Sequence, residues 1–124
     1  MTHPHLKGAS ILIVEDEPMI VLDISMAFGD TDAHLTTTNT LKHAKLLVEY
    51  DGLTAAMIDH ALPDGDSTSI CTRLRERGIP FLMYSGFATL EGPCKDAPHL
   101  AKPASHAQLR DAMEALIRDA KISN

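Results

Sequence analysis

The chain has 124 residues, of which 44% are hydrophobic and 23% charged, with no Trp and a formal net charge of −6. This profile fits one soluble globular domain with a real core and excludes disorder or low complexity. No apolar run reaches membrane-span length, no secretory h-region opens the chain, and the acidic balance argues against direct nucleic-acid binding, which needs a basic surface.

Residues 1–9 read as a short, flexible polar tail, and 10–121 as the folded domain. Ile11-Leu12-Ile13-Val14 is a β-branched run, expected as a buried strand starting near Ser10 and ending at Glu15-Asp16-Glu17-Pro18. Proline suits the first turn of a helix and the acids suit its positive end, so a helix is predicted from Pro18 to about Phe28, stopped by Gly29. Ala33 to Thr38 is a half-polar strand, expected at a sheet edge. Asn39 or Thr40 caps a second helix to about Tyr50, and Thr54 to Ile58 is a third strand ending at Asp59.

Beyond the Asp59 loop, Asp66 or Ser67 can cap a third helix to about Arg77, with Gly78 as its stop. Ile79 to Tyr84 is a fourth strand, followed by Ser85-Gly86. Phe87 to Pro98 is broken by Gly92, Pro93 and Pro98, so any fourth helix there is short or irregular. His99-Leu100-Ala101 is a fifth strand, ending at Lys102-Pro103. Ser105-x-x-Gln108 is a capping-box pattern opening a last helix that buries Leu109, Ala112, Met113, Leu116, Ile117 and Ala120. Alternating strands and helices imply an α/β fold, a five-stranded parallel sheet with helices on both faces.

A parallel sheet gathers the carboxyl ends of its strands at one edge. Glu15 and Asp16, Asp59, Ser85 and Lys102 therefore converge. Three close carboxylates repel one another unless a cation compensates. A hard divalent ion such as Mg²⁺ suits such an oxygen site. Lys102 adds positive charge and Ser85 a hydroxyl donor. The set describes a place for a dianionic phosphoryl group on or near a carboxylate. Asp59 alone would read as no more than the start of an Asx turn; the four-strand combination is what lifts it.

From about Ser10 to Ile117 the sequence resembles a response-regulator receiver domain of the CheY-like superfamily. The resemblance is carried by Ile-Leu-Ile-Val-Glu15-Asp16-Glu-Pro, Ile-Asp59-x-x-Leu-Pro63-x-Gly65, Tyr-Ser85-Gly86 and Lys102-Pro103. It implies the doubly wound strand order 2-1-3-4-5, for which a receiver is itself a standard example. It implies that Asp59 accepts a phosphoryl group from a phosphohistidine on a sensor histidine kinase or histidine phosphotransfer protein. Asp16, Asp59 and the backbone carbonyl of Ala61 would hold Mg²⁺, with Glu15 contributing directly or through water. Lys102 would pair with one phosphoryl oxygen and Ser85 hydrogen-bond another, and Lys102-Pro103 would be a cis peptide.

The chain departs from the family pattern in carrying His99 where a Tyr or Phe is usual, and in the shortened stretch between Ser85 and Lys102. Pro80 to Phe87 loosely resembles an atypical branch with a Phe-Ala-Thr-Gly-Tyr-like motif and a degenerate fourth helix.

Met19, Leu22 and Met26 recur at i, i+3 and i+7 beside the inner face of the first helix. Deep packing is one reading. An exposed stripe is favoured, and the resemblance makes it the docking surface for the kinase or phosphotransfer protein. The seven histidines read as scattered surface or strand residues, since no pair has helical ligand spacing with a carboxylate partner. Cys71 and Cys94 lack metal-type spacing, which predicts free thiols in a reducing cytoplasm.

The leading expectation is a stand-alone cytoplasmic signalling switch, not an enzyme beyond its own phosphoryl transfer and autodephosphorylation. The alternatives are the receiver of a hybrid histidine kinase and a pseudo-receiver acting only by interaction. An aspartyl-nucleophile hydrolase is disfavoured by Ala61, where such enzymes usually carry a second acid.

Overall fold

The computed structural model describes residues 3–86 and 94–123. In chain order these form β1 (Ser10–Val14), α1 (Pro18–Ala27), β2 (His34–Thr38), α2 (Leu41–Leu47) and β3 (Ala55–Ile58). A small ribbon of β4 (Ala61–Leu62) and β5 (Gly65–Asp66) follows, then α3 (Thr68–Glu76), β6 (Phe81–Ser85), β7 (His99–Ala101) and α4 (His106–Ser123). Five strands make one parallel sheet in the order β2-β1-β3-β6-β7. With the antiparallel ribbon set aside, this is the expected 2-1-3-4-5 order.

The central strands are buried on both faces because their apolar runs are continuous, and their side chains alternate between two cores. Ile11, Ile13, Ala55, Met57 and Leu82 pack with Ile24, Phe28, Leu109, Met113 and Ile117 of the α1 and α4 side. Leu12, Val14, Ala56, Ile58, Phe81 and Met83 pack with Ala44, Ile70 and Leu74 of the α2 and α3 side. β2 is the exposed, Thr-rich edge.

Local chemistry sets the helix ends. Pro18 opens α1. The Thr40 hydroxyl accepts from the His43 amide at 3.2 Å at the start of α2. At α3 the bond comes from Asp66, whose carboxylate accepts from the Thr68 amide at 3.0 Å, while Ser67 makes no side-chain cap. Gly78 ends that helix in the left-handed region at φ 69°. The capping box of α4 is reciprocal: the Ser105 amide donates to Gln108 Oε1 at 2.8 Å, and the Gln108 amide to Ser105 Oγ at 3.1 Å.

The structure corrects several expectations. The segment read as a flexible tail is packed from His3 onward, with Leu6 fully buried in the α1 and α4 core. The His5 amide donates to Glu114 Oε1 at 2.8 Å, and the His5 ring also bonds the Glu114 carboxylate. Leu6 in the core and the polar contacts to α4 hold the segment together. α2 stops at Leu47; the Val48 amide still bonds the Ala44 carbonyl at 3.0 Å, and the chain then tightens, with Glu49 bonded to Leu46 and Tyr50 to Leu47. The fourth main-sheet strand runs Phe81–Ser85, so Ser85 belongs to it.

Cys71 and Cys94 are not free thiols. They are joined in a disulfide, and both are fully buried. Spacing along the chain could not show that α3 and the segment before β7 meet in one core. The expected site of a short or irregular fourth helix falls mostly on residues 87–93, outside the described residues. From Cys94 to Ala97 the chain makes a turn, with the Ala97 amide donating to the Cys94 carbonyl at 3.3 Å.

Candidate functional site

Strand register assembles the site. β1 and β3 run parallel with Val14 beside Ile58, so the next residues out, Glu15 and Asp59, emerge side by side. The Asp59 amide donates to the Val14 carbonyl at 2.9 Å, continuing the ladder by one residue. On the other flank, Ser85 pairs with Ala101, and the Lys102 amide donates to the Ser85 carbonyl at 3.1 Å. Four separate strands thus deliver their polar termini to one edge.

At that edge Lys102 Nζ lies 2.5 Å from Glu15 Oε1 and 3.1 Å from Asp59 Oδ2. Each of Glu15, Asp16 and Asp59 offers a carboxylate oxygen, and these oxygens all lie within 4.8 Å of one another. Glu15 is 2% exposed, so its charge is the most costly to maintain. Its second oxygen accepts from the amides of Asp16 at 3.0 Å and Glu17 at 3.3 Å. Burial pushes the Glu15 carboxyl up to about 7, Lys102 opposing the shift and the Asp59 charge adding to it. Burial works against the Lys102 ammonium, but hydrogen bonding and charge from Glu15 and Asp59 outweigh it and raise its pKa. The three acids form an all-oxygen set of the kind a hard divalent cation takes.

Ser85 is fully buried beside this group at the end of β6. Ala61 opens β4 two residues after Asp59, opposite Asp66. The cis peptide between Lys102 and Pro103 is present.

The sequence did not reveal how the loop after Asp59 is fixed. Asp64 reaches back to the start of α2, where its oxygens accept from the amides of Leu41 at 2.8 Å and Lys42 at 3.1 Å. The Leu41 bond is the larger reason its carboxyl lies below the usual range. Gly65 follows at φ +142°, and a Cβ there would sit 3.2 Å from Leu41 Cδ2. Pro63-Asp64-Gly65 signals a turn; which helix it would cap was not written in it.

Three of the histidines make polar contacts with distant acids that the sequence did not announce. His3 pairs with Asp111 at 2.8 Å, His5 with Glu114, and His106 with Asp23 at 2.8 Å, joining the N-terminal segment and α1 to α4. Each pair comes from distant stretches, so no local spacing announced it. His60 makes none of these contacts; its Nδ1 is buried without a hydrogen-bond partner among the described residues.

On α1, Ile24, Ala27 and Phe28 are buried, whereas Met19, Leu22 and Met26 are 74%, 53% and 62% exposed. The stripe is a surface feature.

No family model matches the chain. A response-regulator receiver domain protein (CheY-like) from Methanospirillum hungatei JF-1 superposes with a TM-score of 0.83 at 21% identity, over 95% of this chain and 100% of that one. The receiver domain of a sensor histidine kinase from Pseudomonas aeruginosa PAO1, solved with a magnesium ion in its active-site cleft, has a TM-score of 0.78 at 26% identity, over 90% and 98%. The chain belongs to the CheY-like response-regulator receiver domains. Among curated proteins, the receiver resembles the transcriptional regulatory protein TcrA of Mycobacterium tuberculosis, at 30% identity over 91% of this chain and 47% of TcrA. The receiver thus spans about half the length of the curated relatives it matches. No helix among the described residues is long and apolar enough to cross a membrane.

Proposed function

We propose that this receiver is a phosphoryl-accepting switch in a two-component system or phosphorelay, with Asp59 as the acceptor. The observation that carries the reading is the Lys102 ammonium spanning Asp59 at 3.1 Å and Glu15 at 2.5 Å, beside a third acid at Asp16. An Asp59 carboxylate oxygen forms the new O–P bond as the P–N bond to the donor imidazole breaks and the imidazole keeps the electron pair. Lys102 then exchanges its hold on Asp59 for a phosphoryl oxygen, and the Ser85 hydroxyl donates to another. Asp16, Asp59, the Ala61 carbonyl and Glu15 would hold Mg²⁺. The ion supplies charge neutralisation during in-line transfer. The chain performs this transfer and the later autodephosphorylation upon itself, and is otherwise not an enzyme.

The donor is a phosphohistidine on a sensor histidine kinase or histidine phosphotransfer protein, and it docks on the Met19, Leu22 and Met26 stripe. The net charge of −6 supports protein partners over nucleic acid. The reading places the chain in the cytoplasm, and output proceeds by partner binding or onward transfer. A receiver within a hybrid histidine kinase uses the same chemistry in cis; the kinase-borne relative favours keeping that reading second.

Incubation with Mg²⁺ and acetyl phosphate tests the assignment. One added phosphoryl group by intact mass is expected, absent without Mg²⁺ and absent in Asp59→Asn. Turnover of acetyl phosphate without label would indicate a hydrolase instead, and neither outcome a pseudo-receiver.

A further inference from the structure

Tyr84 sits one residue before Ser85 in β6 and is 4% exposed. Its ring lies beneath the Lys102 ammonium, with Nζ 5.6 Å from the ring centroid. Its phenolic oxygen accepts a hydrogen bond from the Ala104 amide at 3.0 Å. One side chain on a central strand therefore touches both ends of the 102–104 turn that carries the site's cation. The backbone bond from Lys102 to Ser85 anchors that turn at its start, and the Tyr84 bond anchors it at its end.

We propose that Tyr84 is a positioning residue for Lys102. The proposal rests on the reading of Lys102 as the group that meets the phosphoryl oxygen. A lysine ammonium is a point charge on a flexible four-carbon stem, and holding it in one place costs side-chain entropy. The two carboxylates that hold it in the resting site cannot do so unchanged, because the Asp59 contact must yield to the phosphoryl group. The aromatic face stays put, since Tyr84 belongs to β6 and pairs with Leu100 of β7. A partly desolvated cation over a ring face is attracted to it in both states. Tyr84 thus keeps the ammonium aimed while its anionic partner changes, and its hydroxyl fixes the stretch of backbone from which Lys102 reaches.

The test separates the phosphoryl group from the metal. Beryllofluoride occupies the position of a phosphoryl group on a carboxylate, and its affinity at saturating Mg²⁺ can be followed by ¹⁹F NMR. Mg²⁺ affinity without beryllofluoride rests on Glu15, Asp16 and Asp59, and Lys102, paired with two of them, opposes the ion rather than holding it, so loosening the lysine cannot weaken Mg²⁺ binding. Tyr84→Leu, which loses ring and hydroxyl, should bind beryllofluoride about tenfold more weakly, with no loss of Mg²⁺ affinity. Tyr84→Phe keeps the ring and should recover most of the affinity, leaving a loss of about threefold. Parallel losses of Mg²⁺ and beryllofluoride affinity would mark a merely structural role and overturn the proposal, as would unchanged beryllofluoride binding in both variants. If Tyr84→Leu fails to fold, Tyr84→Phe decides alone: no loss overturns the proposal, and a selective loss upholds it. Failure of the unmutated protein to bind beryllofluoride would instead sink the phosphoacceptor reading and this proposal with it.

Discussion

Glu15 makes the site's metal affinity depend on pH in the range where most carboxylates are silent. Its carboxyl is pushed up to about 7, chiefly by burial at 2% exposure. A cation binding beside it favours the ionised form, so proton and metal compete. With a midpoint of about 7, roughly a tenth of Glu15 is ionised at pH 6 and roughly nine tenths at pH 8. Mg²⁺ affinity should therefore fall about tenfold from pH 8 to pH 6. Stability of the metal-free protein moves the other way. Glu15 titrates higher folded than its ordinary value of 4.5, so its contribution is fully present below that value and is lost as pH rises through about 7. Isothermal titration with Mg²⁺ at several pH values, repeated on Glu15→Gln, provides the measurement. The variant should bind more weakly but with little pH dependence. A flat wild-type profile, or a slope that survives in Glu15→Gln, would refute the reasoning.

Three further outcomes are expected. Leu22→Glu combined with Met26→Glu should leave the melting temperature close to wild type, because both positions are exposed, yet abolish phosphoryl transfer from the cognate donor; unchanged transfer kinetics would remove α1 as the docking face. Leu6→Ala should lower unfolding free energy by about 2–5 kcal/mol in denaturant titrations, since Leu6 is fully buried; a loss below about 0.5 kcal/mol would mean the N-terminal segment adds little. Native protein should show no reactive thiol, and reducing the Cys71–Cys94 bond, which spans a sequence separation of 23, should cost about 3 kcal/mol of stability; two thiols titrating without denaturant or reductant would contradict the bond.

The features legible in the sequence were those encoded over a few neighbouring residues. The runs Ile11 to Val14 and Ala55 to Ile58 could only be buried strands, and alternation with helices forced a parallel sheet. That topology alone brought Glu15, Asp16, Asp59 and Lys102 to one edge. Ser105 and Gln108 wrote the start of α4 in four residues. What escaped notice depends on partners distant in sequence. Nothing near Asp64 says that it will cap α2, nothing near Cys71 names Cys94, and His5 looked like tail because Glu114 lies 109 residues away. Tyr84 read as an ordinary aromatic of a buried strand; its role becomes visible only when the 102–104 turn is folded over it. The exposed stripe on α1 is intermediate: its helical period was plain, but only burial of the opposite face decided which side met water.

The phosphoacceptor itself can be identified chemically. An aspartyl phosphate is an acyl phosphate, and borohydride reduces it to homoserine, leaving a free carboxylate untouched. Protein treated with Mg²⁺ and acetyl phosphate, then borohydride, can be digested and its peptides sequenced by mass spectrometry. Homoserine at position 59, dependent on both donor and Mg²⁺, is the predicted result. Homoserine at another aspartate, the corresponding reduced alcohol at a glutamate, or a phosphoryl group found on a histidine with residue 59 unchanged, would contradict the assignment of Asp59.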